Sequence, residues 1–202
     1  MARGYDMRTR DRSAAGTRAQ IIAATHRLLN KGDASRLTLQ EVARAASVSR
    51  ATIYNSVGSR RALLAAVFED QGRLIRFDRV LAAMRLEDPR LAIVATVRES
   101  CRAWSVIPVA IRKTHALAVI DPESRALVEQ YERYRRAELT ALARRAVKAR
   151  RLDRRMTIDH AAAALVLLTG FQAFDQLRLD RSPRAVTDQL VRMAAASLGI
   201  NP

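Results

Sequence analysis

The sequence predicts an all-α protein, with an amino-terminal helix-turn-helix followed by a helical bundle. Three observations carry that expectation. The 202 residues are rich in Ala, Leu and Arg, with only seven Gly and 4% aromatics, a balance that favours helix over sheet. Helix-start signals punctuate the chain: Thr38 with Glu41, Ser49, Ser59, Asp88-Pro89, Asp121-Pro122, Thr157 and Ser182-Pro183. The segments that those signals open carry apolar residues at helical spacing.

Taken in order, residues 1–16 carry Arg3, Arg8, Arg10 and Arg12 among small and polar residues and read as a flexible basic arm. A first helix follows, with Ile21, Ile22, Ala24, Leu28 and Leu29 as its apolar residues and Gly32 after it. Thr38 and Glu41 form a capping box that opens a short second helix, whose apolar face is Val42 and Ala45. The chain turns through Ala46, Ser47 and Val48, and Ser49 caps a third short helix to about Asn55. There Val48 and Ile53 face inward, leaving Arg50, Ala51, Thr52, Tyr54 and Asn55 to solvent. A short polar helix on an apolar platform suits the major groove, which is wide enough to admit one. Two ordinary surface helices joined by a turn would share the same periodicity.

Ser59 opens a long fourth helix with Leu63, Leu64, Val67, Phe68, Leu74, Ile75, Leu81 and Met84 as its stripe. Asp88-Pro89 opens a fifth to about Trp104, Pro108 a sixth, and Asp121-Pro122-Glu123 a long seventh to about Arg150. Thr157 opens an eighth to about Leu177, and Ser182-Pro183 a ninth that ends near Gly199. The expected organisation is an arm at 1–16, a helix-turn-helix domain at 17–62 and a second domain at 63–202.

The formal charge of +16 points to a polyanionic partner, nucleic acid first and an acidic membrane surface second. Between Arg3 and Arg61 twelve basic residues face four acidic ones, leaving +8 on the small first domain. A second basic cluster runs from Arg133 to Arg155. It is either another nucleic-acid surface or, the plainer reading, a solvated helix face. The single Cys101 excludes an internal disulfide and fits a reducing cytosol. No signal-peptide core opens the chain, and the longest uncharged stretch, His160 to Phe174, is too short for a membrane span, so a cytoplasmic protein is expected. His26, His115 and His160 lie far apart, and no phosphate loop, nucleophile elbow or zinc motif occurs, so no catalytic residue, metal site or cofactor is expected.

The segment from Arg18 to Val67 resembles the amino-terminal domain of the tetracycline-repressor (TetR) family of transcriptional regulators. The residues that carry the resemblance are Thr38, the turn Ala46-Ser47-Val48-Ser49, the run Ala51-Thr52-Ile53-Tyr54, and Ser59-Arg60-Arg61-Ala62-Leu63. Ser47 stands where the family has a turn Gly, Ser56-Val57 where it has an aromatic pair, and Arg61 where it has Glu. The resemblance implies DNA contacts from Thr38, Ser49, Arg50, Ala51, Thr52, Tyr54, Asn55 and Arg60, with Tyr54 and Arg60 on phosphate. It also implies a homodimer bound to a palindromic operator, with repression as the default and the contact between copies within 157–198, where Leu167 and Val191 are candidates. A small-molecule effector would sit among the middle helices, with Cys101, Trp104, His115, Tyr131 and Phe171 as candidate lining. The rival readings are a constitutive basic DNA-binding protein without an effector and a helical enzyme with a DNA-docking module.

Overall fold

The computed structural model describes residues 3–31 and 37–200, with side chains over 14–30 and 37–200. Eleven helices and no strand occur among the described residues. None of them is long and apolar enough to cross a membrane. The chain divides into two compact units, one made of Met1–Asp70 with Arg112–Val128 and the other of Gln71–Ile111 with Glu129–Pro202. The division falls at residue 70 and takes in a later segment, whereas the sequence suggested one cut at 62/63.

The amino-terminal unit contains α1 (Arg3–Lys31), α2 (Leu39–Ala45), α3 (Arg50–Val57) and most of α4 (Arg60–Leu74). The end of α7 (Pro108–Ile120) and the start of α8 (Pro122–Lys148) complete it. Helix α1 does not begin near residue 17: its backbone is helical from Arg3, so the expected arm is a helical extension. Arg, Met and Ala are good helix formers and no Pro interrupts them, so the run into Ala14 and Ala15 favours the same conformation as Ile21 beyond it. Gly32 lies outside the described residues. Ile21, Ile22, Ala24, Leu29, Val42, Ala43, Ala46, Ile53, Val57, Leu63, Leu64 and Val67 form one buried cluster. Ile21, Val42, Ile53 and Val67 are fully enclosed in it, so α1 and α4 grip the two short helices from their apolar sides.

The carboxy-terminal unit contains α5 (Phe77–Met84), α6 (Pro89–Val106), the rest of α8, α9 (Ile158–Leu168), α10 (Phe171–Leu177) and α11 (Pro183–Leu198). Helix α6 is its centre, packing against α5, α9, α10 and α11. It buries Ala92, Ile93, Thr96, Val97, Cys101, Ala103 and Trp104. The Asp88 carboxylate accepts from the Arg90 N–H at 2.8 Å with Pro89 in the first turn, and the Ser182 hydroxyl caps α11 in the same way. Gly199 ends α11 in left-handed backbone at φ +64.

Two long helices expected from the sequence are broken. The fourth stops at Leu74, Arg76 adopts φ +55, and α5 starts afresh at Phe77. Arg102 of α6 holds this break by donating to the carbonyls of Ile75 at 2.9 Å and Arg76 at 3.3 Å. The eighth divides at Thr169-Gly170 into α9 and α10. Arg135 of α8 caps that end of α9, donating to the Val166 carbonyl at 3.2 Å and the Thr169 hydroxyl at 2.8 Å.

Candidate nucleic-acid interface and candidate effector site

In the helix-turn-helix, Thr38 Oγ1 accepts from the Glu41 N–H at 3.2 Å and Ser49 Oγ from the Thr52 N–H at 3.0 Å. Between them Ser47 sits at φ +52, the left-handed position where its replacement of a glycine costs strain. Helix α3 buries Ile53 and Val57 and exposes Arg50, Ala51, Tyr54 and Asn55. Gly58 follows at φ +85, and Ser59 Oγ caps α4 through the Ala62 N–H at 3.1 Å.

Helix α1 fixes this platform through residues that the sequence did not single out for the purpose. Gln20 donates to the Ala46 carbonyl at 2.8 Å, Arg27 to that of Ala45 at 3.3 Å, and Arg18 to that of Ser56 at 3.2 Å. These are the unpaired carbonyls at the ends of α2 and α3, and cationic donors are favoured there. His26 Nε2 meets the Asp70 carboxylate at 3.0 Å and ties α1 to α4.

The eight residues assigned to DNA are not equally available. Arg50 makes no polar contact with another described residue. Tyr54 is 45% exposed. Thr38, Ala51 and Asn55 are exposed, and the Ser49 and Thr52 hydroxyls pair with each other at 2.8 Å. Arg60 is different. Its guanidinium meets Asp121 at 2.9 Å and Glu123 at 2.7 Å, so a phosphate would compete with two carboxylates for it. Burial pulls the Asp121 carboxyl upward, but the hydrogen bonds from Ser124 and Arg60 outweigh it and leave the group below its ordinary value.

Of the five candidate effector residues, the structure gathers four in the carboxy-terminal unit. His115 belongs to the amino-terminal unit, because the division of the chain falls within α7 at Ile111/Arg112. Trp104 Nε1 donates to the Thr169 carbonyl at 3.0 Å, and its ring meets Phe171 edge-on with centroids 5.8 Å apart. Tyr131 packs against Phe77 at 5.2 Å. The Cys101 thiol is buried and held protonated, pushed up to about 11 by desolvation that its bond with Thr187 only partly offsets. Burial likewise raises the Tyr131 phenol, which is therefore a neutral donor. Arg135 and Thr169, which connect α8 to the end of α9 beside Trp104, were not among the expected lining; the sequence placed Arg135 only in the later basic cluster.

The later basic cluster is partly structural: besides Arg135, Arg145 donates to the Met84 carbonyl at 2.9 Å and to those of Leu86 and Glu87. Among the described residues no group of three His, Cys, Asp or Glu could hold a metal ion.

Residues 21–67 match the family model for bacterial regulatory proteins of the tetR family. No curated protein matches the chain in sequence. Solved structures match nearly its whole length. A bacterial regulatory protein of the tetR family from Rhodococcus RHA1 is 18% identical with a TM-score of 0.71, over 92% of this chain and 98% of that one. A putative fatty acid metabolism regulator of Clostridium perfringens is 14% identical with a TM-score of 0.70, over 90% and 100%. AibR, solved in complex with isovaleryl coenzyme A and operator DNA, is 18% identical with a TM-score of 0.66, over 88% and 97%. The chain thus has the fold of TetR-family transcriptional regulators and resembles that family, whose amino-terminal domain it carries at residues 21–67.

Proposed function

We propose that this chain is a cytoplasmic transcriptional repressor that binds a palindromic operator as a homodimer and is released by a small, largely apolar effector. The observation that carries the reading is α3. A helix capped by Ser49 and anchored by Ile53 and Val57 offers Arg50, Tyr54 and Asn55 outward from a rigid platform. One helix of eight residues is about 12 Å long and reads only a few base pairs. Two copies a DNA turn apart read a palindrome, which favours a two-fold dimer. Its proposed contact is the outer face of α9 and α11, where Ala163, Leu167, Met193 and Ala196 are exposed, Leu167 at 68%.

The effector's proposed seat is the aromatic group of Trp104, Phe171 and Tyr131 in the carboxy-terminal unit, with Cys101 beside them. The acyl thioester bound by AibR and the fatty acid role named for the Clostridium perfringens protein favour an acyl-type compound. Trp104 is the only tryptophan, so its emission reports binding directly. In titrations with medium-chain acyl compounds, an effector should shift that emission and release bound DNA over the same concentration range. Compounds that shift the emission yet leave DNA affinity unchanged would contradict the switch.

A further inference from the structure

We infer that the effector site takes a neutral carbonyl compound, an ester, thioester or ketone on an apolar body, and that the hydroxyl of Tyr131 receives its oxygen. The inference rests on the effector reading above and specifies its chemistry. Among the described residues of the carboxy-terminal unit, the Tyr131 hydroxyl is the one sealed side-chain polar atom without a hydrogen-bond partner. Such groups are costly, and one kept sealed on a half-buried side chain at the edge of the core invites a function for it. Two other polar groups of the proposed site are already used: Trp104 Nε1 donates to the Thr169 carbonyl, and the Thr169 hydroxyl donates to the Leu165 carbonyl at 2.6 Å.

The sign of the ligand's charge follows from Arg135, one helical turn along α8 from Tyr131. Its guanidinium is buried and already paired: Nε and NH2 lie 3.1 and 2.9 Å from the Glu132 carboxylate, NH2 also donates to the Val166 carbonyl and NH1 to the Thr169 hydroxyl. Its charge is thereby compensated. A carboxylate entering here would lose its hydration and gain one neutral donor, which is a poor exchange. A carbonyl oxygen loses far less and satisfies the hydroxyl. The phenol, held neutral by its burial, can donate but cannot serve as an anion.

The test uses the full-length protein, its Tyr131→Phe variant and four chain-matched probes: 2-undecanone, methyl decanoate, decanoate and undecane. Trp104 emission should report the ketone and ester binding about tenfold or more tightly than decanoate or undecane. Tyr131→Phe should remove that advantage while leaving undecane unchanged. Without any ligand the variant should melt about 2–4 °C higher, since it sheds an unsatisfied polar group. Tighter binding of decanoate, binding of the ketone and ester that ignores the Tyr131→Phe change, no binding of either, or a lower melting temperature for the variant would each overturn the inference. Tyr131-dependent binding of the ketone that fails to release DNA would support the carbonyl site and refute only the effector role.

Discussion

Arg50 is the side chain on α3 best able to read a base, being exposed, long and free of partners among the described residues. A bidentate contact from Arg to a guanine edge discriminates by about 1–3 kcal/mol. Arg50→Ala is therefore expected to cost that much on the preferred site and to relax preference at one position. Tyr54→Phe should weaken all sequences evenly. Competition binding with single-base variants of the site separates the two effects. Ser47 offers a stability prediction at the same scale. It stands at φ +52, where a side chain strains the backbone by about 1–2 kcal/mol. Ser47→Gly removes that strain but gives the unfolded chain more freedom, so a net gain of about 0.5–1 kcal/mol is expected in denaturant unfolding.

At the scale of elements, the join between α4 and the α7–α8 turn is the feature most open to test. Arg60 ties the start of α4 to Asp121 and Glu123, and both partners are partly exposed, so the tie is worth about 1 kcal/mol or less. The Asp121 carboxyl is depressed in the folded state, so its contribution is complete above the ordinary value of 3.8 and is lost as pH falls through the lower folded value. Asp121→Asn should therefore lower the melting temperature at pH 7 and show a smaller loss on acidification than the unmutated protein. Equal acid sensitivity in the two would contradict the tie. The caps of these elements were legible in the sequence. Thr38, Ser49, Asp88, Thr157 and Ser182 each accept the N–H that their positions imply, because capping is local chemistry. The breaks at Arg76 and Thr169 were not legible. The first has Arg76, not Gly or Pro, in left-handed backbone, and at the second Gly170 caps α10 but a single Gly within an apolar run does not by itself mark a break; each is held by an arginine distant in sequence, Arg102 or Arg135. The same limit applies to the site. The outward face of α3 follows from its own spacing, whereas the engagement of Arg60 by Asp121 and the assignment of His115 and Trp104 to different units depend on tertiary contacts.

At the scale of the whole molecule, the proposed dimer separates two residues that sequence alone treated alike. Leu167 is 68% exposed, while Val191 is 6% exposed and belongs to the core of its own protomer. Leu167→Arg should leave the melting of the fold nearly unchanged but dissociate the dimer. Val191→Arg should destabilise the protomer itself by burying an unpaired charge. Light scattering with thermal denaturation distinguishes the two outcomes, and an unmutated protein that is monomeric at micromolar concentration would contradict the dimer. Dimerisation matters because joining two weak half-site contacts multiplies affinity without a new contact. The most direct measurement of the central claim is therefore selection of bound sequences from a random pool of duplex DNA. The expected result is a palindrome whose half-sites lie about one DNA turn, or a multiple of it, apart, with one base preference in each half lost on Arg50→Ala. A pool that enriches no sequence, or only a single unrepeated site, would contradict it.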